Sequence, residues 1–337
     1  MKIIMLGDLH TGVANDDPWI HGYIEKFFDF MCEYAVANGI THMIQAGDWF
    51  DTRRAVTSTC MNFNREVLVP KLAAAGIRTW VTVGNHDAKY KNTIKHNAPR
   101  EVLGHYDHIH VIDEPTTVNF DGVTFDLCPW LCDDNKEQIL EFIRNSASEY
   151  CVGHWELSGY YFYKGLKSSG YSADFLKKYR HVYAGHFHTI SEGGNVTYLG
   201  TPYTLTAGDE NDPRGFWVFD TETHTATFVP NPMVWHRRVS YPSEIDVQSF
   251  SGASVRVIST VEDPKLVTIE AELVKVAHQV RVVYNLAVDD SETVEFEDDE
   301  NVSTEALLLE YVASVVEDPS DVEAVRRYIN EALAEVK

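Results

Sequence analysis

The sequence has 337 residues, of which 44% are hydrophobic, and its formal net charge is −23. A chain of this length and composition can bury a substantial core in two or three domains. It has no apolar run near the roughly 20 residues that cross a membrane, and the apolar start at 1–6 is too short for a signal peptide. The five cysteines are odd in number and unpatterned, which predicts reduced thiols. We therefore expect a globular protein of the cytoplasm and exclude membrane-spanning and disulfide-rich classes.

The negative charge is unevenly distributed along the chain. Residues 287–337 contain 16 acidic and 3 basic side chains, which is more than half of the net excess. A field of this sign repels phosphate, so the chain is not expected to attract nucleic acid by its overall charge. Several carboxylates of the first half lie in motifs suited to cation binding, and bound cations would offset them.

The first 90 residues alternate between strands and helices. Apolar, β-branched runs predict three strands, at 2–6, 41–45 and 79–83. Two helices are predicted between them, from Pro18 to about 38 with Asp17 as N-cap and from about 58 to 75, each followed by a glycine. Strands joined in this way form a parallel sheet with right-handed crossovers, and such sheets bind ligands beyond the carboxyl ends of their strands.

The region from about 107 to 235 is richer in strands. A hairpin that turns at Asp121-Gly122 is predicted for 116–127, followed by a helix at 134–146 that Asp133 or Asp134 caps. Further strands are predicted at 150–153, 181–184, 197–200, 215–219 and 225–229. We expect an α/β fold of two packed sheets with helices outside.

After Trp235 the sequence changes character. A small α/β unit is predicted from a strand at 254–259, an amphipathic helix at 264–278 and a strand at 281–286. An acidic, solvated linker and two short helices are predicted to follow it. The second helix has an apolar stripe that needs a surface to dock on, formed by Val322, Val325, Ile329, Leu333 and Val336. The predicted boundaries are 1–236 for the main domain, 237–288 for the small domain, 289–302 for the linker and 303–337 for the helices.

Metal-binding side chains follow five of the predicted strands. They are Asp8, His10, Asp48, Asn85, His154, His186 and His188. Carboxylate, amide and imidazole groups suit manganese, iron or zinc, and seven ligands exceed what one ion needs. Two ions clamp the attacking and leaving oxygens of a phosphoryl displacement when a carboxylate bridges them, and we expect Asp48 to be that bridge. Each signal alone also fits an ordinary polar turn, so the hypothesis depends on their occurring together.

The same motifs carry a resemblance to a known family. D-x-H at 8–10, G-D-x-x-D at 47–51, G-N-H-D at 84–87, G-H at 153–154 and G-H-x-H at 185–188 resemble the ordered motifs of calcineurin-like metallophosphoesterases. Within that superfamily the chain resembles the SbcD-type nuclease subunits of double-strand-break repair complexes, and most closely their T-even phage counterparts. The resemblance covers essentially the whole chain. It implies a two-sheet metallophosphoesterase sandwich, a small capping domain and C-terminal helices.

The resemblance also implies roles for individual residues. It implies a first metal ion at Asp8, His10, Asp48 and His188, and a second at Asp48, Asn85, His154 and His186. His86 would contact the scissile phosphate and assist the leaving oxygen, with Asp87 orienting its imidazole. Asp51 is a further catalytic candidate, although archaeal members have a histidine there, so no second imidazole is expected at this position.

Activity and partners follow from the resemblance as expectations. The implied activity is that of a Mn²⁺-dependent 3′ to 5′ exonuclease on duplex ends and endonuclease on single strands, serving DNA repair, recombination and replication, in the host cytoplasm if the chain is phage-encoded. The implied partners are DNA, a second copy of the chain, and an SbcC-type coiled-coil ABC ATPase bound by the C-terminal helices. A phosphatase or small phosphodiesterase, and a non-catalytic scaffold for the ATPase, remain alternatives. The aromatic run Tyr160–Tyr163 fits base stacking or strand packing.

Overall fold

The computed structural model describes residues 1–163, 166–210 and 212–285, which belong to one compact unit, Met1–Leu286. The linker predicted at 289–302 and the helices predicted at 303–337 lie outside the described residues. The strands, in chain order, are β1 Lys2–Leu6, β2 His42–Gln45, β3 Arg78–Thr82, β4 Ala88–Tyr90, β5 Thr93–Asn97, β6 Ile109–Ile112, β7 Thr116–Phe120, β8 Val123–Cys128, β9 Tyr150–His154, β10 Tyr161–Tyr163, β11 Leu166–Lys167, β12 His181–Gly185, β13 Ser191–Gly193, β14 Val196–Tyr198, β15 Gly215–Asp220, β16 Thr225–Pro230, β17 His236–Tyr241, β18 Ser254–Ser259 and β19 Gln279–Tyr284.

Helices connect and cover these strands. The α-helices are Val13–Asp16, a kinked single turn, then Pro18–Ala37, Ser58–Phe63, Val69–Ala74, Ala98–Leu103, Lys136–Asn145 and Lys265–Val276. A π-helical segment spans Asn64–Leu68, and 3₁₀ turns span Ala173–Leu176, Ala207–Asp209 and Val247–Phe250. No helix of the described part is long and apolar enough to cross a membrane.

Two six-stranded sheets form the body of the protein. The first has the order β16-β15-β1-β2-β3-β6, in which β1, β2, β3 and β6 are parallel. The second has the order β13-β14-β12-β9-β8-β7, in which β8, β9, β12 and β14 are parallel. Both sheets therefore contain a parallel block, and the expected strand-helix alternation at the start of the chain is confirmed.

Three apolar layers hold the body together. The faces of the two sheets meet in a middle layer that includes Met5, Phe125, Tyr150 and Phe219. The other face of the first sheet packs on the helix Pro18–Ala37, and the other face of the second sheet packs on the helix Lys136–Asn145. The prediction of two packed sheets with helices outside is confirmed. All five cysteines are free and buried in these layers.

A third sheet has its own core. Strands β17, β18 and β19 are parallel to one another and pack with the helix Lys265–Val276 in a separate apolar cluster around Val257, Leu266 and Leu273. The predicted small α/β unit lacked β17, which the charged and aromatic residues of 236–241 had not indicated. The domain boundary at 236 stays a prediction.

Two local predictions needed correction. The helix predicted at 58–75 is interrupted by the π-helical segment, which lies next to Pro70, and a proline has no N–H for the i−4 carbonyl. The helix predicted at 134–146 begins at Lys136, with Asn135 as its N-cap. Asp134 is not available to cap it, because its carboxylate binds Thr93 and Lys95 of β5.

Candidate metal centre

The seven predicted metal ligands converge at one edge of the two sheets. Asp8 and His10 follow β1, Asp48 follows β2 and Asn85 follows β3, while His154 ends β9 and both His186 and His188 follow β12. Parallel strands carry their carboxyl ends to the same edge, and the two sheets pack with these edges side by side. Asp8, Asp48 and His154 are no more than 1% exposed.

The first predicted set brings the Nε2 atoms of two imidazoles together, with the rings inclined at 65° to each other. His10 Nε2 and His188 Nε2 lie 3.1 Å apart. Asp8 Oδ2 lies 4.0 Å from the His10 nitrogen and 3.9 Å from the His188 nitrogen. Three atoms that can each offer a lone pair thus lie within 4.8 Å of one another, which is the arrangement expected of ligands for a cation.

The second predicted set is equally compact. Asn85 Oδ1 lies 2.8 Å from His154 Nε2 and 2.8 Å from His186 Nδ1. His154 Nδ1 lies 2.8 Å from the Ala46 carbonyl, so this nitrogen carries the proton and Nε2 keeps its lone pair in the neutral ring. Fixing the tautomer of a ligand through its other nitrogen is a common feature of metal sites.

Asp48 lies between the two sets. Its Oδ2 is 3.8 Å from His10 Nε2 and 3.3 Å from His154 Nε2, one member of each set. Its Oδ1 accepts the backbone N–H of His86 at 2.7 Å. One carboxylate therefore faces both sets, which is the position that a bridging ligand requires.

Burial and neighbouring charges shift the pKa of these groups in different directions. Burial raises the pKa of Asp8 to about 6, with His154 opposing and Asp48 adding to it. Burial lowers the pKa of His186 and of His188 to about 3, and neighbouring imidazoles lower both further. At neutral pH these two rings are neutral and present lone pairs, the form in which histidine binds metals. The donor chemistry of this buried cluster fits divalent cations.

Asp51 contacts two of the predicted site residues. Its carboxylate lies 3.1 Å from His10 Nδ1, the ring nitrogen opposite the Nε2 that faces Asp8 and His188. Its backbone carbonyl lies 2.6 Å from His86 Nδ1. His86 therefore donates through Nδ1 and leaves Nε2 for the substrate side, and its imidazole lines the open cleft above the ligands.

Asp87 was expected to orient the His86 imidazole, but its carboxylate binds backbone amides instead. Its carboxylate accepts the backbone N–H groups of Gly84 at 2.8 Å, Phe50 at 2.9 Å and Trp49 at 3.3 Å. Asp87 thus joins the loops after β2 and β3, and the Asp51 carbonyl orients His86 in its place. The physical reason is that Asp87 is 2% exposed and faces three amides inside the loop.

Close approach and strained backbone accompany the ligands. Gly47 has a φ of +95°, and a Cβ there would lie 2.3 Å from His154 Nδ1. A Cβ on Gly84 would lie 2.2 Å from Asp48 Oδ1. Three predicted ligands themselves adopt positive φ, namely His10 at 48°, Asp48 at 55° and His186 at 92°. Such conformations concentrate where the surrounding structure over-determines a functional site.

The sequence did not identify Arg214 as part of this site. Its guanidinium is buried and donates to the backbone carbonyl of His188 and to Thr201 Oγ1. It also pairs with Asp209 at 3.2 Å. The only sequence signal was its place in the segment Arg214–Trp217, which the family resemblance covers. Its contact with His188 joins residues that are 26 positions apart in the chain, so local sequence patterns could not indicate it.

Comparison with known proteins agrees with this geometry. Residues 1–189 match the family model described as calcineurin-like phosphoesterase. The chain is 50% identical over 342 residues to "Exonuclease subunit 1" of Enterobacteria phage T4, covering 99% of each protein.

Solved structures share little sequence with the chain. An archaeal phosphodiesterase is 13% identical with a TM-score of 0.35, covering 68% of this chain and 100% of its own. The purple acid phosphatase PPD1 of yellow lupin is 12% identical with a TM-score of 0.40, covering 69% of this chain and 46% of its own. From the match of its first 189 residues and from its near full-length relative, the chain belongs to the calcineurin-like phosphoesterase family and is a metal-dependent phosphodiesterase.

Proposed function

We propose that this protein is a Mn²⁺-dependent DNA nuclease. The observation that carries the proposal is Asp48, whose carboxylate faces two sets of buried donors while its Oδ1 holds the backbone of His86 at the cleft. The substrate class is supported by the T4 relative, whose name is that of an exonuclease subunit. The cleft has a volume of about 670 Å³ and is open to solvent, as a polymeric substrate requires.

Two ligand sets hold the metal ions in this proposal. The first is Asp8, His10, Asp48 and His188, and the second is Asp48, Asn85, His154 and His186. When bound, two divalent cations supply Lewis-acid stabilisation of the attacking and leaving oxygens of an in-line displacement. Mixed oxygen and imidazole donors suit Mn²⁺ as well as iron and zinc, and Mn²⁺ is the ion that the family resemblance implies.

The remaining chemistry is assigned to protein groups. Asp51 keeps the His10 ring in place through Nδ1 and fixes the His86 ring through its carbonyl. To act as a general acid, Nε2 of His86 first takes a proton from solvent in the open cleft; the doubly protonated ring then donates to a phosphate oxygen and passes that proton to the leaving oxygen, which returns the ring to its neutral form. Burial lowers the pKa of His86, which makes the protonated ring a stronger acid and also makes it a minor form at neutral pH.

The proposal also covers the direction of cleavage and the partner proteins. We assign to the chain 3′ to 5′ exonuclease activity on duplex ends and endonuclease activity on single strands, in DNA repair, recombination and replication in the host cytoplasm. The word "subunit" in the relative's name supports an assembly, for which we propose a homodimer and an SbcC-type coiled-coil ABC ATPase. The ATPase would bind the apolar stripe from Val322 to Val336. Removing the chain after Asn301 should leave Mn²⁺-dependent cleavage intact and abolish co-purification with the ATPase.

A direct comparison of substrates tests the proposal. Purified protein is assayed with labelled linear DNA, labelled single strands and a phosphopeptide, each with Mn²⁺ and with a chelator. The expected result is cleavage of both DNA substrates that the chelator abolishes. Turnover of the phosphopeptide without DNA cleavage would identify a phosphatase instead. No turnover of any substrate, with the ATPase still bound, would identify a scaffold.

A further inference from the structure

Strands β10 and β11 form a short antiparallel pair, the β10–β11 pair, that presents an aromatic ring and a cation together. Tyr161 of β10 is paired with Lys167 of β11. The Tyr161 side chain is 43% exposed, and Lys167 Nζ lies 5.2 Å from the centre of its ring. A lysine at this distance makes a cation–π contact with one face of the ring.

The neighbouring tyrosine is packed, whereas Tyr161 is exposed. Tyr160 packs beside the apolar layer under the second sheet, and its hydroxyl donates to the Gly193 carbonyl at 2.6 Å. Tyr160 lies in the bend immediately before β10, and the next side chain, Tyr161, is exposed. Of the two alternatives for this aromatic run, packing holds for Tyr160, whereas the exposed ring of Tyr161 remains available for base stacking.

The β10–β11 pair also borders the open cleft above the predicted ligands. Lys167, Ser168 and Ser169 line the same cleft as Asp48 and His86. Among the described residues that line it, Lys167 is the only lysine or arginine, whereas the acidic lining residues are Asp48, Glu156 and Asp209. A polyanionic substrate that enters this acidic cleft needs a local cation, because the chain as a whole repels it.

We propose that Tyr161 and Lys167 form a subsite for single-stranded nucleic acid beside the cleft. The Tyr161 ring stacks on one base, while the Lys167 ammonium and the hydroxyls of Ser168 and Ser169 bind a backbone phosphate next to the scissile one. This arrangement combines a stacking ring with a cation, as in other single-strand sites, and requires no base-specific contact. The inference rests on the proposed nuclease function and adds to it the residues that hold the strand.

The test uses the full-length protein and three substrates. These are labelled oligodeoxythymidine, the same oligonucleotide with abasic sites, and bis(p-nitrophenyl) phosphate, a small diester that reaches the metal centre but has no strand to hold. The variants are Tyr161→Ala, Lys167→Ala and, as a matched control, Lys89→Ala with Tyr90→Ala. The control pair has the same chemistry, with Lys89 Nζ 5.6 Å from the exposed Tyr90 ring, and does not line the cleft.

The two variants should separate the two contacts. Tyr161→Ala should raise the KM for oligodeoxythymidine by about fivefold or more, the lower range for loss of base stacking, and leave the KM for the abasic strand unchanged. Lys167→Ala should raise both KM values and reduce the slope of log KM against log salt by about 0.7, the value for one phosphate contact on a single strand. Neither variant should change kcat on the small diester, the metal content or the melting temperature.

Several results would overturn the inference. These are an unchanged KM for both strands, an equal effect of Tyr161→Ala on the normal and abasic strands, an equal effect of the control pair, or a loss of small-diester activity. Tyr161→Phe should restore the normal KM, because the ring is retained. If the wild-type protein hydrolyses the small diester and no oligonucleotide, the proposed nuclease function itself fails, and that result is visible before any variant is compared.

Discussion

The substitution Asp48→Asn tests the two-ion site without relying on activity. An asparagine of the same shape keeps an oxygen that can accept the His86 N–H, so the loop is retained, but it loses the charge and the second oxygen that face His10 and His154. At a Mn²⁺ concentration about 100 times each dissociation constant, each site adds about 2.7 kcal/mol to the free energy of unfolding. Each kcal/mol of added stability raises the melting temperature by about 2–4 °C in a domain of this size class. Occupying both sites should therefore raise the melting temperature of the wild type by on the order of 10 °C.

The variant should show a much smaller increase. If loss of the shared carboxylate weakens each site about 100-fold, the same Mn²⁺ concentration only equals the dissociation constants, and the increase falls to about 3 °C or less. The assay is calorimetric or fluorimetric melting with Mn²⁺ and with a chelator. Asp174→Asn is the control, because that side chain is 70% exposed, pairs with Lys177 and belongs to neither predicted ligand set, so its increase should equal that of the wild type. An increase of wild-type size in Asp48→Asn would refute the shared-ligand assignment.

Three further predictions follow from the same site. His86→Ala should lower DNA cleavage by about 100-fold or more while elemental analysis finds the metal content unchanged, and an emptied site would contradict its assignment to the phosphate. Gly84→Ala places a Cβ 2.2 Å from Asp48 Oδ1, so urea unfolding should show a loss of about 1–3 kcal/mol, whereas Gly22→Ala, with no atom within 4 Å, should not destabilise the helix. Arg214→Lys loses the planar guanidinium, whose Nη1 donates to the His188 carbonyl and Thr201 while Nη2 pairs with Asp209, and calorimetric titration should show metal binding weakened by about tenfold; unchanged binding would remove Arg214 from the site.

The order of the elements was predictable because its signals are local. The β-branched runs at 2–6 and 79–83, the Asp17-Pro18 cap and the Asp121-Gly122 turn each depend on a few adjacent residues. The structure places strands or helices within one or two residues of most of these predictions. In one exception a distant partner changed the outcome, because Thr93 and Lys95 bind the Asp134 side chain that had been expected to cap a helix.

The identity of the candidate ligands was also available from sequence. Parallel strands deliver the residues after them to one edge, so Asp8, Asp48 and Asn85 had to be neighbours once the strands were correctly identified. Their meeting with His154 and His188 required in addition that the second sheet pack with the same edge aligned. The motifs suggested this alignment only through the family that they resemble, because physical reasoning about single strands does not say how two sheets pack.

The sequence by itself thus determined the first three parallel strands, most of the later strands of the two sheets and the residue types at their ends, but not β6, which completes the first parallel block, or β17. Tertiary structure alone decided that Asp51 rather than Asp87 orients His86, that Arg214 supports His188, and that Tyr161 rather than Tyr160 is exposed beside the cleft. The reason is that a strand or a turn is stabilised by residues a few positions apart, whereas each of these contacts joins side chains and carbonyls from different elements. Their partners are fixed only when the sheets have packed and the buried polar groups must find hydrogen bonds.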